Sequence, residues 1–334
     1  MPAPLYFVSG ASAPADIRGL ARFSVPLGVS IPELSAVGLK VLLDHARMPL
    51  LRVFVDSGAF SEVDRSGAVV SPIDDAAWVA RVRVMHAVAA AFGPPSDLGD
   101  FGPRAYVVAP DRVGDQRETL RRLALHAEAM RSCRALGARV VVPIQRGAQA
   151  AAQFDDACAA ALGFDDFVRG IPGNKVAMPA EELEAFLRAR RPAAVHLLGV
   201  GLRGPTFEPL TTLVRRILGD VAVSCDSNAL AASAGRTNGA GGGPRRLTAL
   251  QDLFLAPPAD GFSPWPEYWA ENAREMAVSF AFGPTRMHEL VMEQLRRDGV
   301  VGRRPPAPLQ MDLFDRVDIT VVAGVSADGY PSAP

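Results

Sequence analysis

Through the first three quarters of the chain, short apolar or β-branched runs alternate with longer segments of helix-forming composition, and that rhythm leaves few folds open. The runs are Leu5–Val8, Leu51–Val55, Ala105–Ala109, Val140–Ile144, Phe167–Arg169, Ala194–Leu198, Val221–Cys225 and Leu253–Ala256. Each is bounded by Gly, Pro, Asp or Ser and is too short for a helix, so each is predicted to be a strand. Helical spacing fills intervals between them at Ala76–Phe92, Gln116–Leu136, Gln149–Leu162, Ala180–Ala189 and Thr206–Leu218. Strand then helix, repeated about eight times, predicts an α/β fold: a (β/α)8 TIM barrel or a large doubly wound sheet.

The residues after the strands separate those two. Asp56-Ser57-Gly58, Pro110-Asp111, Gln145-Arg146-Gly147, Gly170-Ile171-Pro172-Gly173, Gly199-Val200-Gly201 and Asp226-Ser227-Asn228 each follow a run. A barrel gathers every strand end at one mouth, whereas an open sheet brings together only those near a switch point. Chemistry at so many ends favours the barrel. With 334 residues, 49% of them hydrophobic, the chain can fill such a core.

Beyond Ala256 the pattern changes to Pro257-Pro258, an aromatic cluster of Phe262, Trp265, Tyr268 and Trp269, and helical spacing from Glu271 to Arg297, with Thr285 as a cap. Residues 1–256 are therefore expected to form the barrel. Residues 257–334 are expected to form a C-terminal helical appendage, ending in a loosely ordered, Pro-rich tail with a short strand at Ile319–Val322.

Lys+Arg 35 against Asp+Glu 36 gives a net charge of −1, which argues against a polycationic nucleic-acid binder and confines any such surface to a local patch. Cys133, Cys158 and Cys225 are too few and too scattered for a disulfide framework, which suits a reducing cytoplasm. No run approaches the roughly 18 apolar residues that span a bilayer, so no membrane partner is expected.

Asp56, Asp111, Gln145 and Asp226 each follow a strand at a similar offset. Two carboxylates flanking an anomeric carbon can divide a glycosyl transfer, one attacking and one handling the leaving group's proton. A third carboxylate beside a primary amide suits the edge of guanine, whose N1–H and amine are donors and whose O6 is an acceptor. Plainer roles fit the same residues. Asp56 in Asp-Ser-Gly can close an Asx-turn, and Asp111 after Pro110 can cap a helix, although Asp115 is the better-placed cap. His196 lies within an apolar strand and reads as packed core rather than as a base. Cys225, with no basic neighbour in sequence, reads as structural.

The segments Asp56-Ser57-Gly58-Ala59-Phe60, Ala109-Pro110-Asp111, Pro143-Ile144-Gln145-Arg146-Gly147, Gly170-Ile171, His196-Leu197-Leu198-Gly199-Val200-Gly201 and Cys225-Asp226 occur in this order between Leu51 and Asn228. Together they resemble the tRNA-guanine transglycosylase superfamily, which exchanges guanine for a 7-deazaguanine within a nucleic acid. The resemblance implies that Asp226 is the nucleophile forming a covalent link at C1′ and that Asp56 is the acid/base. It implies base binding by Asp111 and Gln145, a backbone donor at Gly170 with Ile171 beside it, and apolar packing on the base by Leu198. Ser57 is expected among the base-binding residues and, adjacent to Asp56, to orient it.

Members acting on tRNA carry a three-cysteine-plus-histidine zinc site after the nucleophile, and Cys225 is the only cysteine beyond residue 200 here. No zinc or other cofactor is therefore expected, and the resemblance leans to the DNA-directed branch, with tRNA as the alternative acceptor. A base-releasing glycosylase or nucleosidase and a non-catalytic partner subunit are the other readings. Lys175, shortly after Gly170, would repel an aminomethyl base and tolerate a neutral nitrile, which favours the cyano base preQ0 as donor. A guanine in duplex DNA must be flipped out to be reached, so a helper ATPase or a nuclease-type partner is compatible with this activity. Arg203, Arg236, Arg245 and Arg246, and further round the barrel Arg215 and Arg216, are candidates for phosphates, with Trp265, Tyr268 and Trp269 for stacking.

Overall fold

A computed structural model describes residues 4–64, 68–93, 102–173, 177–202, 204–234, 246–255 and 271–283 of the protein. Eight strands form a closed barrel in chain order: β1 (Leu5–Ser9), β2 (Leu27–Ser30), β3 (Val53–Asp56), β4 (Ala105–Val108), β5 (Arg139–Pro143), β6 (Val168–Pro172), β7 (Ala194–Leu198) and β8 (Ala222–Ser227). All pairings are parallel, and β1 closes the sheet by pairing with both β2 and β8. The protein is a (β/α)8 TIM barrel.

Seven predicted strands match the barrel closely, and the eighth does not. Of the predicted strand Leu253–Ala256, Leu253–Leu255 belong to a helix over residues 246–255, and Ala256 lies outside the described residues. Leu247, Leu250 and Phe254 fall at i, i+3 and i+7 and are buried, so helical periodicity outweighs the short apolar run at its end. The missing strand is β2, only four residues long, hemmed by Pro26 and Pro32 and interrupted by Gly28. Gly28 is required there because a Cβ would collide with the Ser9 hydroxyl on β1.

The helices are α1 (Pro14–Ala21), α2 (Ala36–Asp44), α3 (Asp75–Ala91), α4 (Gln116–Leu125), α5 (Ala127–Ala135), α6 (Ala151–Leu162), α7 (Ala180–Arg190), α8 (Phe207–Leu218), α9 (Ala229–Ala234), α10 (Arg246–Leu255) and α11 (Ala273–Phe282). Side-chain caps start some of them, with Ser35 accepting from the Gly38 N–H at the head of α2. Asp74 accepts from Ala77 N–H at 2.7 Å at the head of α3, and Asp115 accepts from Glu118 N–H at 2.9 Å at the head of α4. Asp115 is thus the cap, as the sequence suggests, and Asp111 is not. The predicted helix over Gln116–Leu136 breaks in two at His126.

Strand alternation sends one set of side chains into the lumen and the other toward the helices. The lumen holds Phe7, Phe54, Val108, Val141 and Val168, with Tyr106 and Leu198 packed against them. Phe54 stacks face to face on His196, centroids 4.4 Å apart and planes 7° apart. This aromatic layer fills the barrel and forms the floor of its mouth.

Helix α11 packs on α1. Glu275 is buried between Arg18, whose Nε lies 2.7 Å away, and Arg22, while Arg274 reaches Asp16 at 2.6 Å. A Cβ on Gly19 would collide with the Glu275 carbonyl and with Val278, so the two helices approach at a bare backbone. The tryptophan cluster, the Thr285 cap, the strand at 319–322 and the Pro-rich tail lie outside the described residues. Among the described residues no helix is long and apolar enough to cross a membrane.

Candidate active site

The ends of β3, β4, β5, β7 and β8 bring together the acids and the amide singled out in the sequence. Asp226, on β8, is the best held. Its Oδ1 accepts from the Gly199 N–H at 2.8 Å and faces His196 Nε2 at 3.2 Å, and its Oδ2 accepts from Ser9 Oγ at 3.0 Å. Gly199 sits at φ +67°, a left-handed conformation that turns its N–H back onto the carboxylate just beyond β7. That donor is committed to Asp226. The Asp226 side chain remains 14% exposed and so reachable from the mouth.

Asp56 closes β3. Its Oδ1 accepts from the Gly58 N–H at 3.2 Å and its Oδ2 faces Ser30 Oγ at 3.4 Å. Asp56 therefore closes an Asx-turn while its other carboxylate oxygen faces Ser30. Burial, aided by the charge of Asp226 and opposed by the Gly58 N–H, pushes its carboxyl up to about 6. Gly58, at φ +76°, packs so closely on Pro32 that a side chain there would collide. Arg81 fixes the same turn by donating to the Ser57 carbonyl at 2.8 Å.

Ser57 does not orient Asp56. Its hydroxyl donates instead to Asp111 Oδ1 at 3.2 Å, because successive residues leaving a strand project to different sides. Gln145 Nε2 donates to Asp111 Oδ2 at 2.9 Å, and its Oε1 accepts from the Gly114 N–H at 2.6 Å. The pair expected to read a base is therefore buried and hydrogen-bonded to itself. Burial, aided by the Asp56 charge and opposed by the Ser57 hydrogen bond, pushes the Asp111 carboxyl up to about 7.

That shift carries a stability consequence. An acid with a raised pKa keeps its proton in the fold over a range where the unfolded chain has released it, so stability falls as pH climbs from about 4 to about 7. Asp111→Asn is expected to gain about 3 kcal/mol in stability above neutral pH, with the gain vanishing toward pH of about 4. Urea unfolding at several pH values measures it; parallel pH dependences of the two proteins would contradict it.

Gly170 lies within β6, paired to Pro143 and to His196, rather than beyond the strand. A Cβ there would come 3.1 Å from Leu198 Cδ1, so the glycine makes room for Leu198 at the floor of the mouth. Leu198 is partly exposed, as an apolar contact for a ring requires. Ile171 is displaced from its expected role. It shares the outward face of β6 with Arg169, which pairs with Asp155 of α6, and it is fully buried in the helix layer.

Arg246 opens α10, and Arg203, Arg236, Arg245 and Lys175 lie outside the described residues. Arg215 and Arg216 sit in the last turn of α8, which runs away from the mouth, and Arg216 pairs with Glu184 of α7 at 2.7 Å. They belong to the outer helix ring. Cys225 is buried and pushed up to about 12 by that burial, which makes it inert. Among the described residues no group of three His, Cys, Asp or Glu side chains is arranged to hold a metal ion.

No protein-family model and no curated protein matches this sequence. Solved structures do. A fructose-bisphosphate aldolase from Campylobacter jejuni is 10% identical with a TM-score of 0.42, covering 88% of this chain and 89% of its own. A D-allulose 3-epimerase from Methylomonas sp. is 12% identical with a TM-score of 0.42, covering 67% of this chain and 83% of its own. The N-acetylneuraminate lyase of Proteus mirabilis is 10% identical with a TM-score of 0.36, covering 93% of this chain and 94% of its own.

Other residues at these strand ends and turns are not singled out by the sequence. His196 reads as core and is core, yet it also touches Asp226. Ser9 and Ser30 sit at the ends of β1 and β2, and the latter strand escapes sequence reading. Phe60, on the turn Ala59–Glu62 after Asp56, is 70% exposed, and its position within Asp-Ser-Gly-Ala-Phe is the signal that marks it.

Proposed function

We propose that the protein is a pentosyltransferase that exchanges guanine in DNA for a free 7-deazaguanine base, with preQ0 as donor. The observation that carries this reading is the pairing of two unlike carboxyls at one barrel mouth. Asp226 is held by three donors and remains partly exposed, and Asp56, close enough to feel its charge, is pushed up to about 6. A carboxyl whose proton is held by burial suits the role of proton carrier, and a carboxylate fixed by donors suits that of nucleophile.

In the first half-reaction a lone pair of Asp226 attacks C1′, the C1′–N9 bond breaks, and the departing guanine takes the proton of Asp56. In the second, the incoming base gives its N9 proton to Asp56 and attacks C1′, returning the bonding pair to Asp226. Asp111 and Gln145, once released from each other, supply an acceptor and a donor for the guanine edge. Leu198 and the exposed Phe60 ring supply apolar surface for its faces.

Incubating the full chain with DNA carrying labelled guanine, together with preQ0, is expected to release guanine and to leave the DNA intact. Release from tRNA alone would move the acceptor to RNA, abasic sites would make the protein a hydrolase, and no release from either would refute the reading.

A further inference from the structure

His196 takes no part in either half-reaction, yet among the described residues it is the buried imidazole that touches Asp226. It lies wholly inside the barrel, clamped by the face-to-face stack on Phe54. Its Nδ1 is 2.9 Å from Ser224 Oγ and its Nε2 is 3.2 Å from Asp226 Oδ1. Facing a carboxylate oxygen, Nε2 must carry a proton, since a bare ring nitrogen there would set lone pair against lone pair. In an uncharged ring Nδ1 is then an acceptor, which only the Ser224 hydroxyl can serve. Ser224 has a competing acceptor, the Val195 carbonyl, but at the longer distance of 3.4 Å. The shorter contact therefore directs the hydroxyl proton to the ring.

The consequence falls on Asp226. With Nε2–H and the Gly199 N–H both on Oδ1, that oxygen has two donors for its two lone pairs, whereas Oδ2 has Ser9 alone among the described residues. One lone pair of Oδ2 stays open. We infer that His196, set by Ser224, is a positioning residue that ties down Oδ1 and leaves Oδ2 of Asp226 as the attacking atom. The inference rests on the reading of Asp226 as the nucleophile. In that step the free Oδ2 pair forms the bond to C1′, the C1′–N9 pair leaves with the guanine, and Oδ1 becomes the ester carbonyl under its two donors. When the ester is displaced the same donors receive the returning negative charge, as donors aimed at a developing oxyanion do.

Two measurements on the full chain test this. With 15N-labelled histidine, the His196 resonances, assigned by their absence in His196→Gln, should report a proton on Nε2. A ring protonated on Nδ1 alone would overturn the inference. In base release, His196→Phe keeps a flat ring on Phe54 but has no N–H to donate, and it is expected to lose about 10²-fold in kcat with KM unchanged. His196→Gln retains a donor and should recover at least about tenfold of that loss. Turnover by His196→Phe equal to that of the unaltered protein, or equal damage by both variants with unchanged thermal stability, would also overturn it. If the unaltered protein releases no guanine from any nucleic acid, the reading of Asp226 fails instead, whatever the ring's tautomer.

Discussion

Asp226→Asn is expected to abolish both the covalent protein–DNA adduct and guanine release, with turnover down by about 10⁴-fold or more. The substitution keeps the shape of the side chain. The asparagine carbonyl can still accept from the Gly199 N–H and from His196, so the β7–β8 corner has no reason to rearrange. What disappears is the anionic lone pair on Oδ2, and an amide nitrogen there is not a nucleophile. Denaturing electrophoresis of enzyme incubated with DNA reads the adduct, and labelled base in the filtrate reads release. An Asp226→Asn protein that still forms the adduct would place the nucleophile elsewhere. One that loses the adduct but unfolds at a lower temperature would point to a structural carboxylate.

The barrel was legible because parallel strands buried on both faces read as continuous apolar runs, and because each strand end carried polar residues or glycine. What escaped was whatever the local pattern hides. β2 is four residues between prolines, and Leu253–Phe254–Leu255 reads as a strand until the spacing back to Leu247 is included. The same division runs through the site. Asp56, Asp111, Gln145 and Asp226 could be grouped from sequence because a closed barrel turns similar offsets into a common mouth. The direction of each side chain could not. Ser57 turns to Asp111 rather than Asp56, and Ile171 faces the helices, because a single residue of offset reverses the face on which a side chain lies. Contacts between residues far apart in sequence, such as His196 with Asp226 or Glu62 with Arg122, have no local signature at all.

That last pair carries the second large effect. Arg122, on α4, and Glu62, on the turn after β3, are both fully buried and joined by two hydrogen bonds of 2.7 Å. Arg122 also donates to Glu118 at 2.8 Å and to the Asp111 carbonyl at 2.6 Å, with its guanidinium 4.8 Å from the Trp78 ring centroid. Burial opposes the Glu62 charge, but the hydrogen bonds from Arg122, the Ile73 N–H and Arg112 outweigh it and hold its carboxyl below the usual range. Arg122→Met is expected to cost about 3–5 kcal/mol, because it leaves a buried carboxylate short of its main partner. Glu62→Gln should cost less, because Arg122 loses one charged partner but keeps Glu118 and the Asp111 carbonyl. The double variant should be more stable than the sum of the two losses predicts, since neither charge is then left alone. Urea unfolding of all four proteins measures the coupling, and simple additivity would mean the pair is not a unit. The loss should also reach the site. Arg122 anchors the backbone carbonyl of Asp111, so folded Arg122→Met should bind the base less tightly even though it changes no group at the mouth.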